Sequence, residues 1–277
     1  MNSWNPALPW GKRASDQPPP APVTPRRDRL LEAVIAQEGI DVHYQPQIRL
    51  DTGRVIGAEA LARWGAAASA DVLFSRAAAS GLSERLSRLM QRKALRAAAT
   101  WEGPLRGLGM SINLLPADIC RDNYEQWLLD EAEAAGAAPD RITLEITESA
   151  LLERNGAVVD RLTTLRAAGF CIAVDDFGTG YASLAYLTSL PLDILKIDRG
   201  LVVNIVRGSR DRIVMQAMIR MAHDLGLQVL VEGVETSAQL ELLNEWGCDV
   251  YQGFVGAGAL NEVELTRFVA TSNAVTA

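Results

Sequence analysis

Seven short apolar runs in this chain each end on an acid, an amide or a lysine, and no other feature limits the possible folds as strongly. Val55-Ile56-Gly57-Ala58 runs into Glu59, Met110-Ser111-Ile112 into Asn113, and Ile142-Thr143-Leu144 into Glu145, with Glu148 one turn further. Ile172-Ala173-Val174 meets Asp175 and Asp176, Ile194-Leu195 meets Lys196, Val229-Leu230-Val231 meets Glu232 and then Glu235, and Asp249-Val250-Tyr251 meets Gln252. Runs of this length and content read as buried strands. With one more run before them, strands are expected near 42–49, 54–60, 108–113, 141–147, 170–175, 193–197, 227–232 and 249–252. Helical periodicity fills most of the gaps, at about 83–100, 117–135, 157–168, 199–225 and 236–245, with shorter pieces near 74–80, 183–189 and 261–268.

Strands alternating with helices imply parallel βαβ units. Asp51-Thr52-Gly53-Arg54 is too tight a turn for such a crossover, so the first strand should pair antiparallel with the second. Eight strands in one series point to an α/β fold, a modified (β/α)₈ TIM-like barrel with its first strand antiparallel, over an open doubly wound sheet. Residues 26–270 are expected to form the barrel. Residues 1–25 read as a disordered Pro-rich tail, because Gln17-Pro18-Pro19-Pro20-Ala21-Pro22 favours polyproline II, and residues 271–277 as a C-terminal tail.

Each strand-end polar group alone has a plain explanation as a helix cap, a turn residue or a surface charge. The series does not, because the C-terminal ends of barrel strands converge on one face, where such folds place their sites. Carboxylates crowded there cannot all stay ionised and unpaired, so one or two divalent cations are expected, with Lys196 relieving part of the charge. The adjacent Asp175 and Asp176 can face one site only if the strand breaks between them, and Gly178 and Gly180 supply room to bend. The chain has only two histidines, so the ligands must be oxygen, which favours Mg²⁺ or Mn²⁺.

Such a site suits in-line attack of an activated water on a phosphodiester. Lys196 and a carboxylate such as Glu232 would orient or deprotonate the water, and Arg63 would reach a phosphate oxygen. A net charge of −7 and a pI near 5.0 argue against long nucleic acid as a partner. Three scattered cysteines and no spanning apolar run predict a reduced, cytoplasmic protein with no membrane segment.

Glu59-Ala60-Leu61, with Ala62-Arg63-Trp64 after it, resembles the signature of EAL domains, the cyclic di-GMP phosphodiesterases. Tyr44-Gln45-Pro46, Ser111-Ile112-Asn113-Leu114-Leu115-Pro116, Leu144-Glu145-Ile146-Thr147-Glu148, Asp175 through Tyr181, Leu195-Lys196-Ile197-Asp198, Val231 through Thr236 and Gln252-Gly253-Phe254 extend the likeness over about residues 30 to 270. The resemblance implies hydrolysis of cyclic di-GMP to linear 5′-pGpG with Mg²⁺ or Mn²⁺, on two ions. It implies metal ligation by Glu59, Asn113, Glu145, Asp175, Asp176 and Glu232, and a catalytic group of Lys196, Glu232 and Glu59. Gln45, Arg63 and Gln252 would serve the substrate, Gln252 through the metal and water shell. Glu148, and Glu235 with it, would anchor the loop 176–181, which also contributes to a homodimer.

Two segments depart from the family. The 65–81 connection is shorter, with alanine where a glutamate usually stands, and Gly256-Ala257-Gly258-Ala259 replaces an Arg-Pro or Lys-Pro pair. They bear on substrate contacts more than on metal binding. They also support the competing expectation of a weak or inactive receptor or interaction module. A phosphohydrolase acting on another phosphodiester is a third. The chain reads as a stand-alone catalytic domain, regulated through oligomerisation, a protein partner or the tail. Deleting residues 1–25 is predicted to leave cyclic di-GMP turnover nearly intact, measured by comparing initial rates of the full and shortened chains.

Overall fold

The structure is a computed structural model and describes residues 27–65, 69–147, 156–178 and 185–275. The expected Pro-rich tail, Glu148 and the segment 179–184 lie outside the described residues. Eight strands close into a barrel in sequence order: β1 (Asp41–Arg49), β2 (Val55–Arg63), β3 (Gly109–Leu114), β4 (Ile142–Thr147), β5 (Cys171–Phe177), β6 (Ile194–Ile197), β7 (Gln228–Val231) and β8 (Val250–Tyr251). β1 is antiparallel to both neighbours, β2 and β8, and every other pairing is parallel. The expected barrel and its reversed first strand are therefore present.

Helices cover the outside of the barrel. They are α1 (Arg29–Ala36), α2 (Ala70–Ala79), α3 (Ser83–Thr100), α4 (Pro116–Ile119), α5 (Tyr124–Ala135), α6 (Gly156–Ala167), α7 (Ala185–Ser189), α8 (Arg199–Val202), α9 (Ser209–Asp224), α10 (Ser237–Glu245) and α11 (Glu262–Val275). Their starts follow from capping chemistry. Asp28 accepts from the Leu31 N–H at the head of α1, Ser69 accepts from Val72 at α2, and Thr236 and Gln239 form a reciprocal box at α10. The main core lies between the strands and α3, α5, α6 and α9. A second core of Leu31, Ile35, Leu73, Leu86 and Leu89 packs α1 and α2 against α3. Among the described residues no helix is long and apolar enough to cross a membrane.

The structure corrects several boundaries. The single helix expected over 199–225 is two, because Gly208 is extended and the Arg212 guanidinium binds the carbonyls of Ile205 and Val206, ending the ladder there. The helix expected over 117–135 breaks at Asn123, which takes a left-handed φ of 58°. α11 runs to Val275, so most of the segment read as a C-terminal tail continues the helix.

β2 outruns its parallel partner. It pairs with β3 only over Gly57–Glu59, then continues to Arg63 against β1 alone. Glu59 thus sits mid-strand, at the point where the parallel ladder stops, and not at the strand's end.

The connection after β8 depends on close backbone approach. A Cβ on Gly253 would lie 2.2 Å from the Val234 carbonyl oxygen and 2.3 Å from its nitrogen, and that nitrogen donates to the Gln252 carbonyl. Gly253→Ala is expected to cost about 2–3 kcal/mol, since neither backbone can retreat without losing that bond. Chemical denaturation of the two proteins measures the difference.

Candidate active site

The strand ends converge on Lys196. This side chain is 1% exposed and its Nζ lies 2.7 Å from Glu145 Oε2, 2.7 Å from Glu232 Oε1, 3.1 Å from Asp175 Oδ1 and 3.8 Å from Glu59 Oε2. Each partner comes from a different strand or strand end, and parallel register brings them level. Asn113 stands opposite Glu145, Thr147 opposite Asp175, and Gln45 of the antiparallel strand opposite Glu59. Asn113 Nδ2 donates to Glu59 Oε1 at 2.7 Å, and Gln252 Nε2 donates to Glu59 Oε2 at 2.7 Å. Both oxygens of Glu59 are thus fixed.

Asp175 and Asp176 face the site together because the strand fails between them. The β5–β6 register shifts between Val174 and Phe177, and Asp176 takes a left-handed φ of 57°, a region Asp tolerates better than most side chains. Its N–H donates to Asp175 Oδ1 at 2.9 Å. Gly178 follows at φ 101°, where a Cβ would meet Leu201 Cδ1 at 2.5 Å. Ligand oxygens of Asp175, Asp176 and Glu232 all lie within 4.8 Å of one another.

Five carboxylates around one ammonium leave an excess of negative charge. Burial pushes the Glu145 carboxyl well above the ordinary carboxylate range, Lys196 pulls it back, and Glu59 and Asp175 raise it again. Burial likewise pushes Glu232 up to about 7 against the pull of Lys196. Asp176 is raised by burial and by the charges of Asp175 and Asp198. Burial works against the charge on Lys196, but Glu145, Glu232, Glu59 and Asp175 outweigh it and hold the amine well above its usual range.

The residues fit a divalent cation. Every donor is oxygen, as hard cations require. Glu145 Oε1 and Gln252 Oε1 are buried without a hydrogen-bond partner, so two acceptors at the site lack a cation or a donor. A cavity of about 300 Å³ opens beside the carboxylates. Glu59, Asn113, Asp175 and Asp176 form one side of it, and Leu61, Phe74, Met90, Leu115 and Pro116 the other.

The EAL domain profile matches residues 27–258. The chain belongs to the EAL domain family. It is 35% identical over 246 residues to the cyclic di-GMP phosphodiesterase NbdA of Pseudomonas aeruginosa, covering 86% of this chain and 31% of the relative. It is 36% identical over 243 residues to the probable cyclic di-GMP phosphodiesterase PdeB of Escherichia coli, covering 86% and 46%. The chain spans between 28% and 46% of the length of the curated relatives it matches. Among solved structures, the PaMucR phosphodiesterase in complex with c-di-GMP superimposes with a TM-score of 0.79 at 30% identity, over 85% of this chain and 99% of that one. The EAL domain of Mycobacterium smegmatis DcpA gives 0.74 at 32%, over 84% and 98%.

The structure therefore gathers Glu59, Asn113, Glu145, Asp175, Asp176, Lys196, Glu232, Gln252 and Gln45 within this EAL domain. Arg63 lies at the end of β2 on the same strand face as Glu59, with Nη1 on the Ala62 carbonyl at 2.9 Å. Gln45 is tied up: its Oε1 accepts from Gln252 at 3.1 Å and its Nε2 donates to the Ala257 carbonyl at 3.3 Å. Glu235 is exposed, and its backbone N–H donates to Gln239. Asp198 caps α8 through the Gly200 N–H and takes no direct place among the carboxylates.

Sequence reading passed over Thr147 and Ser87, which line the cavity. Thr147 was detectable, as it is two positions past Glu145 and alternation returns it to the same face.

Glu232 titrates at about 7 in the fold and near 4.5 when unfolded. The folded state holds a proton that the unfolded chain has lost, so this group's stabilisation is full below its unfolded value and fades as pH rises through about 7. A cation competes for the same oxygens. Millimolar Mg²⁺ is therefore expected to raise the melting temperature little at about pH 5 and by several degrees at about pH 8. Thermal melts with Mg²⁺ and with EDTA at both pH values test this.

Proposed function

We propose that this EAL domain is a metal-dependent phosphodiesterase that hydrolyses cyclic di-GMP to linear 5′-pGpG. One observation carries the reading: five carboxylates, an asparagine and a glutamine from six strands or strand ends meet around a buried lysine, with two unpartnered acceptor oxygens among them and a cavity beside Glu59, Asp175 and Asp176. Named cyclic di-GMP phosphodiesterases among the relatives support the substrate.

Glu59, Asn113, Glu145, Asp175, Asp176 and Glu232 would hold Mg²⁺ or Mn²⁺, most economically as two ions. When bound, the cations acidify the attacking water and neutralise charge on the phosphoryl oxygens. Glu232, with a partly open side chain held by the Lys196 ammonium, is suited to take a proton from that water. Lys196 stays charged and holds Glu145, Asp175 and Glu232 at fixed separations. Gln252 and Asn113 lock the orientation of Glu59. The water oxygen bonds to phosphorus, one ester P–O bond breaks, and the leaving ribose oxygen takes up a proton. Arg63 supports a phosphate. The catalytic unit in this reading is residues 26–270.

A second reading, a catalytically weak cyclic di-GMP receptor, is favoured by one observation. Ala257, within the segment that departs from the family, occupies the Gln45 amide expected to meet the substrate.

Incubation with cyclic di-GMP in Mg²⁺, Mn²⁺ or EDTA, followed by chromatography, separates the readings. Metal-dependent pGpG is expected from the wild type, and a drop of more than about 100-fold from Glu59→Ala and Asp175→Ala with the fold intact. Binding without product would replace the enzyme with the receptor. Full activity in either variant would rule out this site.

A further inference from the structure

Behind the β3 end of the site lies a closed polar network that the catalytic reading does not use. Asp118 in α4 is 0% exposed. Its Oδ2 accepts from Ser87 Oγ at 2.5 Å, from Gln91 Nε2 at 3.3 Å and from the Leu115 N–H at 3.2 Å, and its Oδ1 accepts from Arg121 Nη1 at 3.1 Å. Gln91 is also fully buried. Its Nε2 donates to Ser87 Oγ at 3.0 Å and reaches the Asn113 carbonyl at 3.5 Å, while its Oε1 accepts from the Tyr124 hydroxyl at 2.9 Å.

A buried carboxylate is costly unless charge and hydrogen bonds compensate it, and apolar residues of similar volume would hold a helix pair equally well. This network spends that cost at one place. Among the described residues, its bonds toward the barrel land at the end of β3, on the Asn113 carbonyl, and on the Leu115 N–H that follows it at the cap of α4. The last two residues of β3 are Asn113, whose amide fixes Glu59 Oε1, and Leu114, and the chain then passes through Leu115 into Pro116 of α4; all four wall the cavity beside Glu59 and Asp176. Ser87 itself reaches the cavity from α3.

We infer that Ser87, Gln91 and Asp118 are positioning residues: they clamp the β3–α4 turn to α3 and so hold Asn113 and the adjoining cavity wall in register with Glu59. The inference rests on the proposed metal-dependent phosphodiesterase, but one arm of its test does not need turnover. Without the clamp the turn relaxes away from α3. Asn113 then loses its fixed approach to Glu59, and the wall no longer meets a ligand at one distance. The effect falls on metal affinity and on KM more than on kcat, since no clamp atom touches the reacting groups.

The test compares Ser87→Ala, Asp118→Asn and Asp118→Ala with Leu165→Ala, a fully buried core truncation in α6 away from the site. All are measured at the same interval below their own melting temperatures. Mn²⁺ dissociation constants come from the free-ion electron paramagnetic resonance signal without substrate, and KM and kcat from cyclic di-GMP turnover. Asp118→Ala is expected to weaken Mn²⁺ and raise KM by at least about tenfold. Asp118→Asn, whose single amide oxygen can keep the Ser87 and Leu115 bonds but not the one to Arg121, should recover part of this, Ser87→Ala should show a smaller loss, and Leu165→Ala none. Equal losses in Asp118→Ala and Leu165→Ala, or unchanged Mn²⁺ affinity in both Asp118→Ala and Ser87→Ala, would overturn the inference. If Asp118→Ala does not fold, Ser87→Ala decides. A wild type that binds Mn²⁺ but turns over no cyclic di-GMP would defeat the phosphodiesterase reading while the Mn²⁺ arm still decides the clamp.

Discussion

A lysine that is 1% exposed must be paired or neutral, and Lys196 is paired four times over. The dependence runs both ways. Glu145, equally buried, could not sit inside the barrel as an anion without that ammonium 2.7 Å away. The barrel supplies the geometry, since β2, β4, β5 and the end of β7 each deliver one acid to the lysine of β6. One ammonium cannot neutralise five carboxylates, so the fold is left with raised carboxyls at Glu145, Asp176 and Glu232 and with two unpartnered oxygens. That unmet charge is what a divalent cation would complete. A site so arranged trades some stability of the free protein for affinity.

The reversed first strand shapes the other half of the site. Because β1 is antiparallel, β2 can run on to Arg63 after its parallel ladder with β3 has stopped at Glu59. One strand then carries both an acid of the site and, four residues on, a cation facing the same way. The same reversal puts Gln45 directly across from Glu59, and Gln252 from the neighbouring strand end bonds to both. The Gly256–Ala259 segment enters this set through the Ala257 carbonyl, so a change far from the clustered acids in sequence bears on Glu59 through two glutamines.

The apolar runs with their polar residues, the barrel and its antiparallel start were legible because hydrophobic runs and tight turns are local signals, though β2 runs on four residues past Glu59. So was the set of oxygen donors, since residue type at a strand end needs only the strand to be found. The left-handed turn at Asp176 was half legible: two adjacent acids before a glycine demanded a break, but not its position between Val174 and Phe177. The breaks at Asn123 and Gly208 were not, because helical periodicity continues on both sides of each. The clamp of Ser87, Gln91 and Asp118 was missed. Ser87 and Gln91 lie four apart on the buried face of α3, which is a visible oddity, yet their partner at Asp118 is about thirty positions away.

The sequence by itself determined which residues reach the end of the barrel and that their polar groups are oxygen donors around a lysine, because strand alternation and composition are properties of short windows. Only the tertiary structure decided how they meet. It made Lys196 the shared partner of four acids, placed Glu59 mid-strand with both oxygens bonded, and tied up Gln45. Each of these is a contact between segments distant in the chain. Its geometry is set by closing eight strands on themselves, a constraint that no window of sequence contains.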